Sequence, residues 1–203
     1  MRIPYIVGLG GTTRPGSSTQ MALAISLEMA RQQGAEILLL SGSDLYLEPY
    51  SPGAGPLPPE AQKIVAELRR ADGIILGTPG YHGGISGLVK NALDYTEELK
   101  CDSRPYLEGR AVGCIVTAAG DQGAMTTLIA LRSVVHALRG WPTPLGAAIV
   151  TSTPVFDAAG NCLSSRVETQ LGLIARQVLD FAEAQIERGL GTLAPTAALQ
   201  QMA

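Results

Sequence analysis

Tyr5-Ile6-Val7-Gly8-Leu9-Gly10-Gly11-Thr12-Thr13-Arg14-Pro15-Gly16-Ser17-Ser18-Thr19 decides how the rest of the chain is read. Tyr5 to Leu9 is short, apolar and partly β-branched, which suits a strand buried on both faces, and it stops at Gly10-Gly11. The polar run Gly11 to Thr19 follows. Met21, Leu23, Ile25, Leu27 and Met29 then lie in an Ala-rich helical stretch that ends before Gly34. A buried strand, a polar glycine loop and a helix form the first half of a parallel strand–helix–strand unit.

The pattern continues outward from that stretch. Strands are expected at Glu36 to Leu40, Ile74 to Gly77, Ala111 to Thr117 and Ala147 to Thr151. Between the second and third, residues 41–59 form a long loop with five prolines and three glycines, a length that implies function or irregular structure. Ala61, Ile64, Val65 and Leu68 mark one face of a helix entered through Pro58-Pro59. Leu88, Ala92, Tyr95 and Leu99 mark the next, and Leu128, Leu131, Val135 and Leu138 another, closed by Gly140. The last helix carries Val167, Leu171, Ile174, Val178 and Phe181 up to Gly189, with Ser165-Arg166-Val167-Glu168 as a capping box. Five strands alternating with five helices predict a single α/β domain over residues 1–203, a parallel sheet with helices on both faces, and a loosely held tail at 190–203. Ligand-binding residues should then lie beyond the carboxyl ends of the strands, in loops 10–19, 77–87 and 117–123.

Composition narrows the function. Fifteen Lys and Arg against eighteen Asp and Glu leave a net charge of −3 over 203 residues, and aromatics are 4%. That argues against a nucleic-acid binder, which needs clustered cations or stacking platforms. No apolar run approaches the ~20 residues that cross a bilayer, and the N-terminal residues lack a secretory signal. Cys101, Cys114 and Cys162 are odd in number, widely spaced and without metal-ligand spacing, which suits a reducing compartment. The expectation is a cytoplasmic protein that binds neither nucleic acid nor membrane.

The loop 10–19 has the makings of an anion site. Glycines let backbone N–H groups converge, a helix N-terminus adds partial positive charge, the hydroxyls add donors, and Arg14 adds a bidentate cation. It is no Walker A loop, because Ser17 stands where the lysine must be. It is no dinucleotide fingerprint either: Thr13 replaces the third glycine, and Leu40 is followed by Ser41 rather than an acid. A terminal phosphate monoester suits it better than ATP or a pyrophosphate. Further on, Thr78-Pro79-Gly80-Tyr81-His82-Gly83-Gly84-Ile85-Ser86-Gly87 places four glycines, a tyrosine and a histidine before a helix that begins Leu88-Val89-Lys90-Asn91-Ala92-Leu93-Asp94.

Together these two motifs resemble the NAD(P)H-dependent FMN reductase family. That family carries a G-S-x-R-x-x-S-x-N phosphate loop, matched here by Gly11, Thr12, Arg14, Ser17 and Thr19. It also carries a P-x-Y-(N/H)…G-x-(L/V)-K-N-x-x-D segment, matched by Pro79, Tyr81, His82, Gly87, Val89, Lys90, Asn91 and Asp94. The resemblance spans roughly residues 3–185. Thr12 replaces the usual serine and Thr19 the usual asparagine, and Gly80, where glutamate is frequent, removes a side chain near the flavin edge.

The resemblance implies a flavodoxin-like three-layer sandwich with a five-stranded parallel sheet. It also implies an FMN cofactor, NADPH or NADH as hydride donor, and a homodimer or homotetramer, with the Leu88–Leu99 helix as an interface. Thr12, Arg14, Ser17, Ser18 and Thr19 would hold the FMN phosphate. Pro79, Gly80, Tyr81, His82 and Gly83 would line the ring, and Thr117, Ala119 and Gly120 of the third loop would close its other side. Electrons would pass to a small-molecule acceptor such as free flavin, a quinone, an azo compound or a metal oxyanion.

No catalytic side chain or metal site is assigned, because the cofactor carries the chemistry. His136 reads as structural, Cys114 as a core residue and Cys101 as a loop residue. Lys90, Asn91 and Asp94 suit an interface or helix start as well as a solvated helix face. Two rivals stand beside this reading. A flavodoxin-type electron carrier would bind FMN without oxidising NAD(P)H. A hydrolase built on Ser86 or Cys101 would be labelled by an acylating reagent and carry no yellow chromophore.

Overall fold

A computed structural model describes residues 2–53 and 55–189; the tail expected at 190–203 lies outside them. Chain order is β1 (Tyr5–Gly10), α1 (Ser18–Gln32), β2 (Glu36–Leu40), α2 (Pro59–Arg70), β3 (Gly73–Tyr81), β4 (Gly84–Ile85), α3 (Gly87–Asp94), β5 (Ala111–Ala118), α4 (Asp121–Ala137), β6 (Trp141–Pro142), β7 (Ala147–Val150) and α5 (Ser165–Glu187). Strands β2, β1, β3 and β5 lie side by side, all parallel, and β6 and β7 pair in succession along the outer edge of β5. The fifth position is thus shared by two short pieces, and the order 2-1-3-4-5 is that of flavodoxin-like folds. β4 adds a short antiparallel pairing on the end of β3.

Each central strand feeds two cores. Tyr5, Val7 and Leu9, Ile74 and Leu76, and Val112, Cys114 and Val116 face the side covered by α2, α3 and α4. Ile6, Ile75 and Ile115 face α1 and α5. On that second side the sheet alternates isoleucine with glycine. A Cβ on Gly8 would fall 2.6 Å from Leu27, on Gly73 2.5 Å from Val178, on Gly77 2.7 Å from Leu23 and on Gly113 2.4 Å from Ile174. The bare glycines therefore let α1 and α5 press their apolar faces onto the sheet, a packing that any larger residue would lift apart.

Several boundaries differ from the sequence reading. β3 runs on through Thr78 to Tyr81, so half of the expected loop 77–87 is strand. α4 begins at Asp121, not near Leu128, and takes in the end of the third loop. The cap of α5 is Ser164, whose hydroxyl accepts from Val167 N–H, so the frame is one residue early and no capping box forms. At the end of α4 the left-handed residue is Arg139 (φ 61°), and the Gly140 N–H bonds the Val135 carbonyl. Gly140 is needed for space instead, because a Cβ there would lie 3.0 Å from both Val112 and Val135. His136 is exposed on α4 and takes no part in the core.

The stripe of Leu88, Ala92, Tyr95 and Leu99 is spent inside the chain: Ala92, Tyr95 and Leu99 are buried in the α2/α3/α4 core and Leu88 packs against it. It is not an open interface. Asn91 has a different task from those considered for it. Its carbonyl oxygen accepts from Tyr50 N–H (2.8 Å) and its amide donates to the carbonyls of Leu47 (3.2 Å) and Glu48 (3.0 Å), pinning the proline-rich segment 41–59. Lys90 and Asp94 pair with each other on the exposed face.

Candidate functional site

The three loops singled out in sequence follow β1, β3 and β5, which are neighbours in the sheet, so their ends converge. Leu9 lies beside Leu76 and Gly10 beside Gly77; two residues on, Pro79 lies beside Thr117. Gly10 makes this convergence possible. Its φ is +142°, and a Cβ there would sit 1.8 Å from the Gly77 carbonyl oxygen, the same oxygen that accepts from Gly11 N–H at 3.1 Å.

The first loop is braced at every turn. The Thr12 hydroxyl accepts from Arg14 N–H (3.1 Å) and donates to the Arg14 carbonyl (3.3 Å), a local turn. Ser17 caps α1 by accepting from Gln20 N–H (3.3 Å). The N–H groups of Ser17, Ser18 and Thr19 have no acceptor among the described residues, and neither has the exposed Arg14 guanidinium of the same loop. Unspent N–H groups at a helix N-terminus with an uncommitted cation make a site for a phosphate dianion. Thr12, Arg14, Ser17 and Ser18 all belong to this loop, with Thr12 bonded to the Arg14 backbone and Ser17 to that of Gln20.

Thr19 is placed differently. It is buried, and its hydroxyl lies 2.6 Å from that of Thr117, also buried, at the end of β5. These two predicted site residues meet each other and tie the first loop to the third.

The second loop is a hairpin. His82 (φ 53°) and Gly83 (φ 79°) occupy the two turn positions between Tyr81 and Gly84, the left-handed pair a two-residue type I′ turn requires. A histidine held left-handed is uncommon and fixes the tip in one shape. Tyr81 is 56% exposed and His82 also faces solvent, whereas Pro79 is buried within β3. Thr78 supports the hairpin from below, donating to the Pro79 carbonyl (2.9 Å) and accepting from Ser86 N–H (3.0 Å). Thr127 of α4 supports it from the side through the Gly84 carbonyl (3.4 Å). An open groove of about 420 Å³ separates the tip from α4, lined by His82, Gly83, Gln122, Gly123 and Thr126. Ala119 and Gly120 are exposed at the mouth of α4.

Gly80 does not leave a vacancy at the site's edge. The space its side chain would need is filled by Thr127, Ala118 and the Gly123 carbonyl. Ser86 is buried and its backbone is engaged, so it offers no exposed nucleophile. Cys114 is buried, and burial pushes its thiol up to about 12. Sequence reasoning missed Gln20, Ser41 and Thr127, polar residues with partners far along the chain, and Thr78, which bonds within its own loop.

A loop of unspent donors on α1 and an open groove beside a hairpin lie at the ends of adjacent parallel strands of a flavodoxin-like fold. The NADPH-dependent FMN reductase family matches residues 4–154, and the chain belongs to that family. It is 33% identical to an FMN-dependent NADPH-azoreductase of Staphylococcus aureus over 156 residues, 72% of this chain and 77% of that one. It is 26% identical to an NAD(P)H-dependent FMN reductase of Pseudomonas aeruginosa over 164 residues, 79% of this chain and 85% of that one. Among solved structures, FerB, a flavoenzyme NAD(P)H:(acceptor) oxidoreductase of Paracoccus denitrificans, superposes with a TM-score of 0.66 at 18% identity, covering 90% of this chain and 98% of that one. Membership makes the chain an oxidoreductase with FMN as cofactor and NAD(P)H as electron donor.

Proposed function

We propose that this chain holds FMN with its phosphate on the first loop and its ring at the hairpin, and passes electrons from NADPH or NADH to a small-molecule acceptor. The observation that supports the assignment of sites is that, among the described residues, the N–H groups of Ser17, Ser18 and Thr19 and the Arg14 guanidinium of the same loop are all without acceptors. Arg14 and the α1 terminus neutralise the phosphate. Tyr81, His82 and Gly83 flank the ring on one side, and Thr117, Ala119 and Gly120 on the other. Bound FMN supplies the two-electron chemistry; the protein's part is to orient it, give its ring backbone hydrogen-bond partners and leave one face open to both substrates in turn. Free flavin, quinones, azo compounds and metal oxyanions are the acceptor classes to test.

The assembly we propose is a homodimer or homotetramer, supported by Met125 (50% exposed) and Ile129 (60% exposed), which stand one turn apart on α4. A cytoplasmic setting is supported by three free cysteines, and no described helix is long and apolar enough to cross a membrane.

A visible spectrum of the purified protein with added FMN, followed by NADPH and NADH oxidation with a quinone, tests the proposal. Flavin binding and nucleotide oxidation are expected. Flavin binding without oxidation would favour the electron carrier, and no flavin binding would defeat both.

A further inference from the structure

Gln20 lies one position beyond the family's phosphate-loop motif, yet its side chain reaches back to the loop. Its carboxamide oxygen accepts from Gly16 N–H at 2.9 Å, and its amide donates to the Ser41 hydroxyl at 3.0 Å. Gly16 has a left-handed backbone (φ 65°), with no atom within 4 Å of where a side chain would begin. Among the described residues nothing else accepts from its N–H. Gly11 lies close above, since a Cβ there would be 3.5 Å from Ser41 and 3.8 Å from Gln20.

Ser41 is itself fixed. It follows β2 and caps the short turn Gly42–Leu45: its N–H donates to Asp44 (3.1 Å), which in turn holds Lys63 of α2 (2.7 Å). The anion loop is thereby braced against a neighbouring strand end and helix, and the start of the proline-rich segment acquires a role.

We propose that Gln20 is the positioning residue of the phosphate loop, joining Gly16 to Ser41 so that the loop is already shaped when the anion arrives. This rests on the reading of loop 10–19 as the FMN phosphate site. Gly16 N–H turns to Gln20, while the N–H groups of Ser17, Ser18 and Thr19 are left for the phosphate. Ordering the loop beforehand removes an entropy loss that binding would otherwise carry. The brace contacts no phosphate in this account, so its effect is confined to ligands whose binding needs the loop ordered.

The test is titration of full-length apoprotein with FMN and with riboflavin by flavin fluorescence. The variants are Gln20→Met, Gln20→Glu and Ser41→Ala. Gln20→Met, of similar length, should weaken FMN by roughly three- to tenfold, the range for losing one or two neutral hydrogen bonds, and riboflavin by less than about twofold. Ser41→Ala should give a smaller loss in the same direction, and combining it with Gln20→Met should add little, because both cut one link. Gln20→Glu keeps the acceptor for Gly16 but loses the donor and adds a like charge beside the phosphate, so it should weaken FMN more than Gln20→Met does.

Tighter FMN binding in Gln20→Met would show that Gln20 competes with phosphate for Gly16 N–H and would overturn the proposal. So would equal weakening of both flavins. If wild type prefers FMN over riboflavin and Gln20→Met keeps that preference unchanged, the inference alone fails. If wild type binds both flavins equally, the reading of the loop fails and takes the inference with it.

Discussion

Gly80→Ala adds one methyl group to the wall between the hairpin and α4, and the structure says what that methyl meets. Gly80 has no left-handed backbone, so conformational strain does not enter; the effect is one of space. The new carbon would lie 2.9 Å from the Thr127 hydroxyl, 3.2 Å from Ala118 Cβ and 3.2 Å from the Gly123 carbonyl oxygen. Two of these belong to β5 and α4 themselves and cannot rotate away. The third can turn only by giving up its bond to the Gly84 carbonyl. Overpacking of this kind costs about 1–3 kcal/mol, and the lost hydrogen bond ~0.5–1.5 kcal/mol, so the variant should be destabilised by roughly 2–4 kcal/mol. In a chain of this size each kcal/mol moves Tm by ~2–4 °C, giving a fall of roughly 5–15 °C. Urea and thermal unfolding of the apoprotein measure it. Thr127→Ala removes the nearest obstacle, so the double variant should be more stable than the two single losses predict by ~1 kcal/mol or more. Because the hairpin moves, FMN and riboflavin should weaken together. A Gly80→Ala protein within ~0.5 kcal/mol of wild type, additive with Thr127→Ala, would refute this account of the wall.

Arg14→Ala should weaken FMN by roughly 10- to 150-fold, from ~1.5–3 kcal/mol of charge-assisted hydrogen bonding, and leave riboflavin nearly unchanged, with Arg14→Lys recovering part of the loss; flavin titration checks it. Arg110 is buried and donates to the carbonyls of Ala71 (2.9 Å) and Arg69 (2.9 Å) at the end of α2, with burial pushing its guanidinium down to about 9, still charged at neutral pH. Arg110→Met should therefore lower unfolding free energy by ~2–4 kcal/mol in urea without changing flavin affinity, since it precedes β5 at the pole opposite the site. At pH 8, exposed Cys101 should react with a thiol reagent in the native state and Cys114 only on unfolding, because burial raises the Cys114 thiol to about 12 and shields it. Steady-state turnover of NAD(P)H with a quinone should give parallel double-reciprocal lines; intersecting lines would count against a shared ring face.

What was legible in the sequence was whatever rests on local pattern. Strands buried on both faces read as continuous apolar runs, and α2 announced itself through Pro58-Pro59 and the spacing of Ala61, Ile64, Val65 and Leu68. The anion loop was legible because glycines, hydroxyls and an arginine have few other reasons to gather. The spacing of Leu88, Ala92, Tyr95 and Leu99 showed that a face is buried; it carried no information about whether another part of the chain or another subunit buries it. Gly120-Asp121-Gln122-Gly123 has the composition of a loop, yet α4 starts there, because a helix N-terminus tolerates residues that its interior does not. Asn91, Gln20 and Thr127 bond across 41, 21 and 43 residues respectively. No local pattern encodes such partners.

Those long-range bonds lean the two parts of the site on different supports. The phosphate loop leans toward β2 and α2, through Gln20, Ser41, Asp44 and Lys63. The ring hairpin leans toward α4, through Thr127 and the Gly80 contacts. Among the described residues the buried Thr19–Thr117 hydroxyl pair joins the first loop to the third, and the bond from Gly11 N–H to the Gly77 carbonyl joins it to β3. A lesion on the β2 side should therefore change the preference for FMN over riboflavin, while one on the α4 side should weaken both flavins in proportion. Thr117→Val cuts the side-chain link between the first loop and the third. It leaves the Thr19 hydroxyl buried without its partner, an arrangement that costs ~1–3 kcal/mol. Thr19→Val with Thr117→Val removes both hydroxyls and should recover most of that loss. If the double variant were instead as unstable as the sum of the single ones, the two hydroxyls would be acting independently and the pair would be no link between the loops.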